Sequence, residues 1–176
     1  MNTSPWTIRR LHSVDADTVS QLASVLVDCV EGGASVSFMA PLGRERAEAF
    51  WTRVAHDVAN GERAILVAQD DNGICGTVQL ILAQPDNQPH RADLSKMLVH
   101  SRARKQGLGA ALLRAAEQMG RDSGKTLLVL DAVTGGDGER LYTNCGWQRV
   151  GVVPNFALLP HGGFCDTTFF YRRLDA

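Results

Sequence analysis

The segment Arg104-Lys105-Gln106-Gly107-Leu108-Gly109 constrains the fold more than any other in this chain, because of what flanks it. An apolar run, residues 94–99, precedes it, and a helical stretch, residues 108–119, carries it onward. Read in order, this is a strand, a short basic turn with two glycines, and a helix start. The first N–H groups of a helix have no intrahelical partner, and the helix dipole places positive charge there. Such a turn binds anions, phosphate above all, through the main chain. Arg102, Arg104 and Lys105 add local positive charge.

Two other phosphate motifs fit less well. Gly107-Leu108-Gly109-Ala110-Ala111-Leu112 lacks the third glycine of the dinucleotide fingerprint. Gly120-Arg121-Asp122-Ser123-Gly124-Lys125-Thr126 resembles a Walker A loop but is one residue short between its glycines. It also leads from helix to strand, the reverse of the required order, and reads as a helix end with Gly120 or Gly124 left-handed.

The whole chain excludes several classes. Its 176 residues suit one domain, residues 1–176, able to bury a core without metal or disulfide. Eighteen Lys plus Arg against 19 acids, a net charge of −1, argue against nucleic acid as partner. Cys29, Cys75, Cys145 and Cys165 are far apart, with no Cys-x-x-Cys and no histidine at ligand spacing, so neither a zinc site nor a disulfide framework is indicated. No stretch reaches membrane-span length and residues 1–8 lack a signal-peptide core, which predicts a cytoplasmic protein. Composition leaves monomer and homodimer both open.

Periodicity predicts the elements. Residues 6–11 read as a strand, and Ser13 stands where a cap belongs, with Asp15 and Asp17 in the first turn of the helix that follows. That helix repeats Val19, Leu22, Ala23, Leu26 and Val30 and ends at Gly32-Gly33; a second runs over residues 44–58. Strands at 64–68 and 74–83 flank the turn Asp70-Asp71-Asn72-Gly73, a hairpin signal. A loop at 84–90 leads to a strand at 92–99, the basic turn and a helix to about residue 122. A strand at 126–133, a short helix at 139–144, and strands at 148–153 and 167–173 complete the series.

The basic turn matches Arg/Gln-x-x-Gly-x-Gly/Ala through Arg104, Gly107 and Gly109, and resembles the acyl-CoA motif of the GCN5-related N-acetyltransferases (GNAT). Leu141-Tyr142-Thr143-Asn144-Cys145-Gly146-Trp147 is similar to that family's Leu-Tyr-x-x-x-Gly-Phe/Trp, and the element order agrees over nearly the whole chain. One departure is Gly135, where many members have an asparagine seven residues before the tyrosine. The resemblance implies a mixed α/β fold, a central mixed twisted sheet flanked by four helices, with acetyl-CoA as cosubstrate and no metal. It implies cofactor contacts at Met97, Leu98, Val99, Arg104, Lys105, Gln106, Gly107, Leu108, Gly109 and Ala110, with the Leu98 N–H facing the thioester oxygen.

Direct transfer from a thioester to an amine needs a held cofactor, a neutral amine, a stabilised oxyanion and a proton for the leaving thiolate. The resemblance places the Tyr142 hydroxyl near the sulfur as acid. Asp93, early in its strand, and Asp131, near the carboxyl end of the next, are the candidate bases; each alternatively pairs with Lys96 or an arginine. His56, His90, His100 and His161 show no pairing and read as surface residues. The loop at 31–42, with Gly32, Gly33, Ser35, Phe38 and Met39, closely resembles that of tabtoxin-resistance acetyltransferases, implying a small polar amine such as a β-lactam amino acid as acceptor. Two alternatives stay open: a protein or peptide N-acetyltransferase, and a non-catalytic acyl-CoA-sensing module.

Overall fold

The computed structural model describes residues 5–174, an α/β arrangement of seven strands and four helices. The strands are β1 (Thr7–Leu11), β2 (Arg63–Asp70), β3 (Gly73–Ile81), β4 (Arg91–Val99), β5 (Leu127–Val133), β6 (Gln148–Leu158) and β7 (Phe164–Arg173). The helices are α1 (Ala16–Glu31), α2 (Arg44–Ala59), α3 (Leu108–Asp122) and α4 (Asp137–Asn144). The strands form one sheet in the order β1-β2-β3-β4-β5-β7-β6, antiparallel except for β4–β5.

Strand alternation divides the core into two layers. Ala64, Leu66 and Ala68 of β2 face Leu108, Leu112, Leu113 and Ala116 of α3, whereas Ile65 and Val67 face Leu22, Leu26 and Trp51 of α1 and α2. β2 and β3 are covered on both faces, so their interiors are almost wholly buried, Thr77 and Gln79 of β3 being the polar residues among them.

Caps and turns fix the element ends. α1 is capped by Asp15, whose carboxylate accepts from the Thr18 N–H at 2.8 Å, rather than by Ser13, because the helix starts two residues further in. The β2–β3 turn closes with Asp70 accepting from the Asn72 N–H at 2.8 Å and Gly73 at φ +98°. The α3 helix ends through Gly124 at φ +72°; Gly120 lies inside the helix, packed against Leu128 and Leu174. The largest departure from expectation is the final hairpin. β6 continues to Leu158 and β7 begins at Phe164, with register shifts in β6 that leave Val150 and Pro154-Asn155-Phe156 out of register. Prolines and glycines hid this strand from its pattern, and an edge strand tolerates them.

Two irregularities place the site. β4 and β5 pair only at Arg91↔Leu127, Ala92↔Leu128 and Asp93↔Val129, then diverge. On its other side β4 carries a bulge, with Lys96 and Met97 both opposing Val78 of β3, and Lys96 takes φ +50°.

Candidate active site

The divergence of β4 from β5 opens a cleft of about 680 Å³. Its walls are β4 from Leu94 to Val99, Arg104, Lys105 and Gly107–Gly109 of the basic turn, the carboxyl half of β5, and Leu141 and Tyr142 of α4. Ligands of open α/β sheets sit where parallel strands separate at their carboxyl ends, because unpaired main-chain groups are available there.

Which N–H groups face the cleft follows from pairing. The His100 N–H donates to the Cys75 carbonyl of β3 at 2.9 Å, so Leu98, two residues back, also directs its N–H toward β3. The Val99 carbonyl points the other way and accepts from Arg104 Nε at 3.0 Å and from the Cys29 thiol at 3.5 Å. Val99 and Met97 therefore present their main-chain groups to the cleft. The expectation of Leu98 as oxyanion donor is corrected accordingly: its side chain is buried against α1 and its N–H is turned to the sheet.

At the far end of the cleft, Lys105 at φ +60° and Gly107 at φ +79° turn the chain into α3. Gly107 occupies the N-cap without a side-chain hydrogen bond, leaving the helix N-terminus open to a ligand. Gly109 lies under α4, where an added Cβ would stand 3.3 Å from Leu141 Cδ2. The arginines are committed elsewhere. Arg102 pairs with Asp70 at 3.0 Å, while Arg104 ties the Val99 carbonyl to Asp28 and to the Cys29 thiol. Arg104 thus anchors the turn, and Lys105 is the turn's cation without an ion pair among the described residues. Gln106 bends back to the Arg102 carbonyl at 3.2 Å and, like the Ala110 side chain, lies outside the lining.

His100 departs from the surface role expected of it. Its Nδ1 accepts from the Arg102 N–H at 3.3 Å and lies 3.7 Å from Asp28, whose carboxylate also receives the Ser101 N–H and hydroxyl at 2.7 Å. Burial alone would raise the Asp28 pKa, but the Ser101 hydrogen bonds and the neighbouring His100 and Arg104 hold it below the usual range. His161 likewise has a partner, the Glu31 carbonyl, at 3.0 Å.

Tyr142 is buried, its ring centroid 5.8 Å from that of Trp147 and 5.9 Å from that of Phe170. Burial, reinforced by Asp131, pushes its hydroxyl well above the ordinary phenol value, so it stays protonated. Glu139 pins α4 to β7, accepting the Gly135 N–H and, at 2.9 Å, the Thr168 hydroxyl.

The two aspartates separate. Asp131 lines the cleft, accepts from the Thr167 hydroxyl at 3.0 Å, and is exposed. Asp93 sits before the split, bound to Arg91 and to Gln84 at 3.1 Å, and does not line the cleft. A second cavity of about 290 Å³ adjoins at Asp131. Ser35, Phe38 and Met39 of the α1–α2 loop line it together with Phe156, Leu158 and Cys165 of the last hairpin. Gly32 and Gly33 line the larger cleft.

Sequence reasoning missed one residue here. Lys96 lines the cleft, its Nζ donating to Ser37 Oγ at 3.2 Å and lying 5.5 Å from the Phe50 ring centroid. A lysine between Leu94 and Leu98 on a central strand was the available signal.

Residues 61–149 match the model of the acetyltransferase (GNAT) domain. The chain belongs to the GNAT family. The chain is also 32% identical, over 127 residues, to an uncharacterized N-acetyltransferase from the hisH-hisA intergenic region of Azospirillum brasilense, covering 71% of this chain and 74% of that one. Among solved structures, YncA of Salmonella typhimurium, a putative acetyltransferase solved with its cofactor acetyl-CoA, superposes with TM-score 0.78 at 20% identity, covering 97% of this chain and 95% of that one. The ribosomal-protein-alanine N-acetyltransferase of Brucella melitensis gives 0.79 at 20%, covering 95% and 99%. Both likenesses are of fold. This GNAT chain is an acyltransferase, and among its described residues no helix is long and apolar enough to cross a membrane.

Proposed function

We propose that this single-domain GNAT enzyme transfers the acetyl group of acetyl-CoA directly to the amino group of a small polar acceptor. The observation that carries this reading is the β4–β5 split, which joins an open α3 N-terminus at one end to a smaller cavity at the other. Acetyl-CoA supplies the activated thioester. Its phosphates fit the main-chain N–H groups at Gly107–Gly109, and its amide-bearing arm fits Met97 and Val99 as an added strand would.

The chain's own groups meet the remaining needs. The Met97 N–H at the bulge faces the thioester oxygen and stabilises its developing charge. Asp131, where the two cavities meet, takes a proton from the acceptor's ammonium, directly or through water, and the neutral amine so formed attacks the thioester. Tyr142 gives its proton to the departing thiolate. Cavity size and the likeness of the 31–42 loop to tabtoxin-resistance acetyltransferases support a small acceptor, a β-lactam amino acid being one candidate.

A free-thiol release assay over amino acids, dipeptides and aminoglycosides tests the reading. Acceptor-dependent release saturating in both substrates is expected. Tight acetyl-CoA binding without release from any small amine would reject the small-acceptor assignment.

A further inference from the structure

Resting on the acetyltransferase reading, we propose that Lys96 is a specificity residue that binds a carboxylate on the acceptor, so that the acceptor is a zwitterion held between Lys96 and Asp131. Three observations carry this. The first is conformational. A β-bulge re-aims a side chain, and here the bulge holds a non-glycine residue at φ +50°, a cost sustained only where the surroundings fix it. The Lys96 side chain is thereby directed into the cleft beside the α1–α2 loop.

The second is that this cation lacks a counter-charge. Its Nζ has a hydroxyl and an aromatic face, Ser37 and Phe50, and no carboxylate within ion-pairing distance among the described residues. Arg63, the neighbouring cation, is already paired with Asp57 at 3.1 Å and bonded to Gln79 at 2.7 Å. Burial and Arg63 lower the Lys96 pKa, with Asp131 opposing them, as expected of an ammonium missing an anion. Half-buried charges are ordinarily paired, and a ligand anion is the partner this one can acquire.

The third is the distribution of charge along the cleft. Arg104 and Lys105 belong to the phosphate turn, and Asp137 is paired with Arg140. Lys96 and Asp131 remain as the charged side chains at the acceptor end, of opposite sign and farther apart than a salt bridge. A small molecule bearing ammonium and carboxylate matches both, with its ammonium at the base and its carboxylate at the lysine.

The test compares free amino acids with their carboxamides and decarboxylated amines in the thiol-release assay, using wild type, Lys96→Met and Lys96→Arg. Acids are expected to be preferred by wild type, and Lys96→Met to raise their KM by about 10- to 100-fold, the scale of one charge-assisted hydrogen bond. The change in kcat should be smaller, acetyl-CoA affinity should not change, and Lys96→Arg should recover part of the loss. Amides accepted as well as acids would overturn the proposal. So would a Lys96→Met defect confined to kcat and equal for acids and amides, which would mark a proton-handling lysine.

Binding without turnover supplies a second readout. The chain has three lysines, so dimethylation with a carbon-13 label gives an assignable Lys96 resonance. N-acetyl amino acids should shift it and their amides should not; equal response, or none, overturns the proposal. Calorimetry with acetyl-CoA separates the two readings. Retained acetyl-CoA binding with indifference to carboxylate sinks only the zwitterion assignment, whereas loss of acetyl-CoA binding by wild type sinks the acetyltransferase reading itself.

Discussion

Gly109→Val isolates the phosphate turn. At this position the backbone is ordinary helix, and the constraint is proximity: an added Cβ meets Leu141 Cδ2 at 3.3 Å and Cδ1 at 3.8 Å. Rotation of a leucine end accommodates one methyl, so Gly109→Ala should be mild. Valine adds two γ-carbons and forces the first turn of α3 away from α4. Loss of one main-chain N–H bond to a charged phosphate costs about 1.5–3 kcal/mol, which raises the acetyl-CoA Kd about 10- to 100-fold. Because Leu141 precedes Tyr142, kcat should fall as well. Gly107→Ala is the contrasting variant. Nothing lies within 4 Å of its Cβ position, so the penalty is backbone strain at φ +79°, about 1–2 kcal/mol. Isothermal calorimetry reads Kd, and thermal unfolding confirms folding. A folded Gly109→Val protein with unchanged acetyl-CoA affinity would refute the reasoning, because the phosphates would then bind elsewhere.

Three further outcomes are expected. Tyr142→Phe keeps the ring packing against Trp147 and Phe170, so acetyl-CoA affinity should hold while kcat falls about 10²- to 10⁴-fold; an unchanged rate assigns the thiolate's proton to water. Asp131→Asn should lower turnover while acetyl-CoA affinity holds, whereas Asp93→Asn, in its Arg91–Gln84 cluster, should affect unfolding temperature more than rate; the reverse order moves the base to β4. Lys96→Met should raise the unfolding temperature of the ligand-free protein, since a half-buried ammonium without a counter-charge disfavours the folded state. As the folded pKa of Lys96 is depressed, the charge penalty is full below that pKa and fades as pH rises toward the unfolded value, so the gain should shrink in alkali. A gain that persists unchanged across that range contradicts a charge origin.

Much of this protein was written in local sequence. The 3.6-residue repeat of Leu22, Leu26 and Val30, the Asp70–Gly73 turn and the basic glycine turn are each decided within a few residues, because helix periodicity, turn conformation and helix-start chemistry are local properties. The glycine turn brought Gly107 and Gly109 into view, and the resemblance of the Leu141–Trp147 motif to the family's brought Tyr142. What pairing and packing decide was not legible. Whether Leu98 or its neighbours face the cleft depends on the bulge opposite Val78, and a one-residue register change leaves no mark in composition. His100 and Arg104 lie in the turn after β4 and Asp28 on α1, and they meet only when α1 docks against that turn. Asp93 and Asp131, near equivalents along the chain, are parted because β4 and β5 pair for three residues and then separate. Lys96 becomes an unpaired cation in the larger cleft only once the α1–α2 loop packs beside it, since burial and the absence of a counter-charge are properties of neighbours distant in sequence.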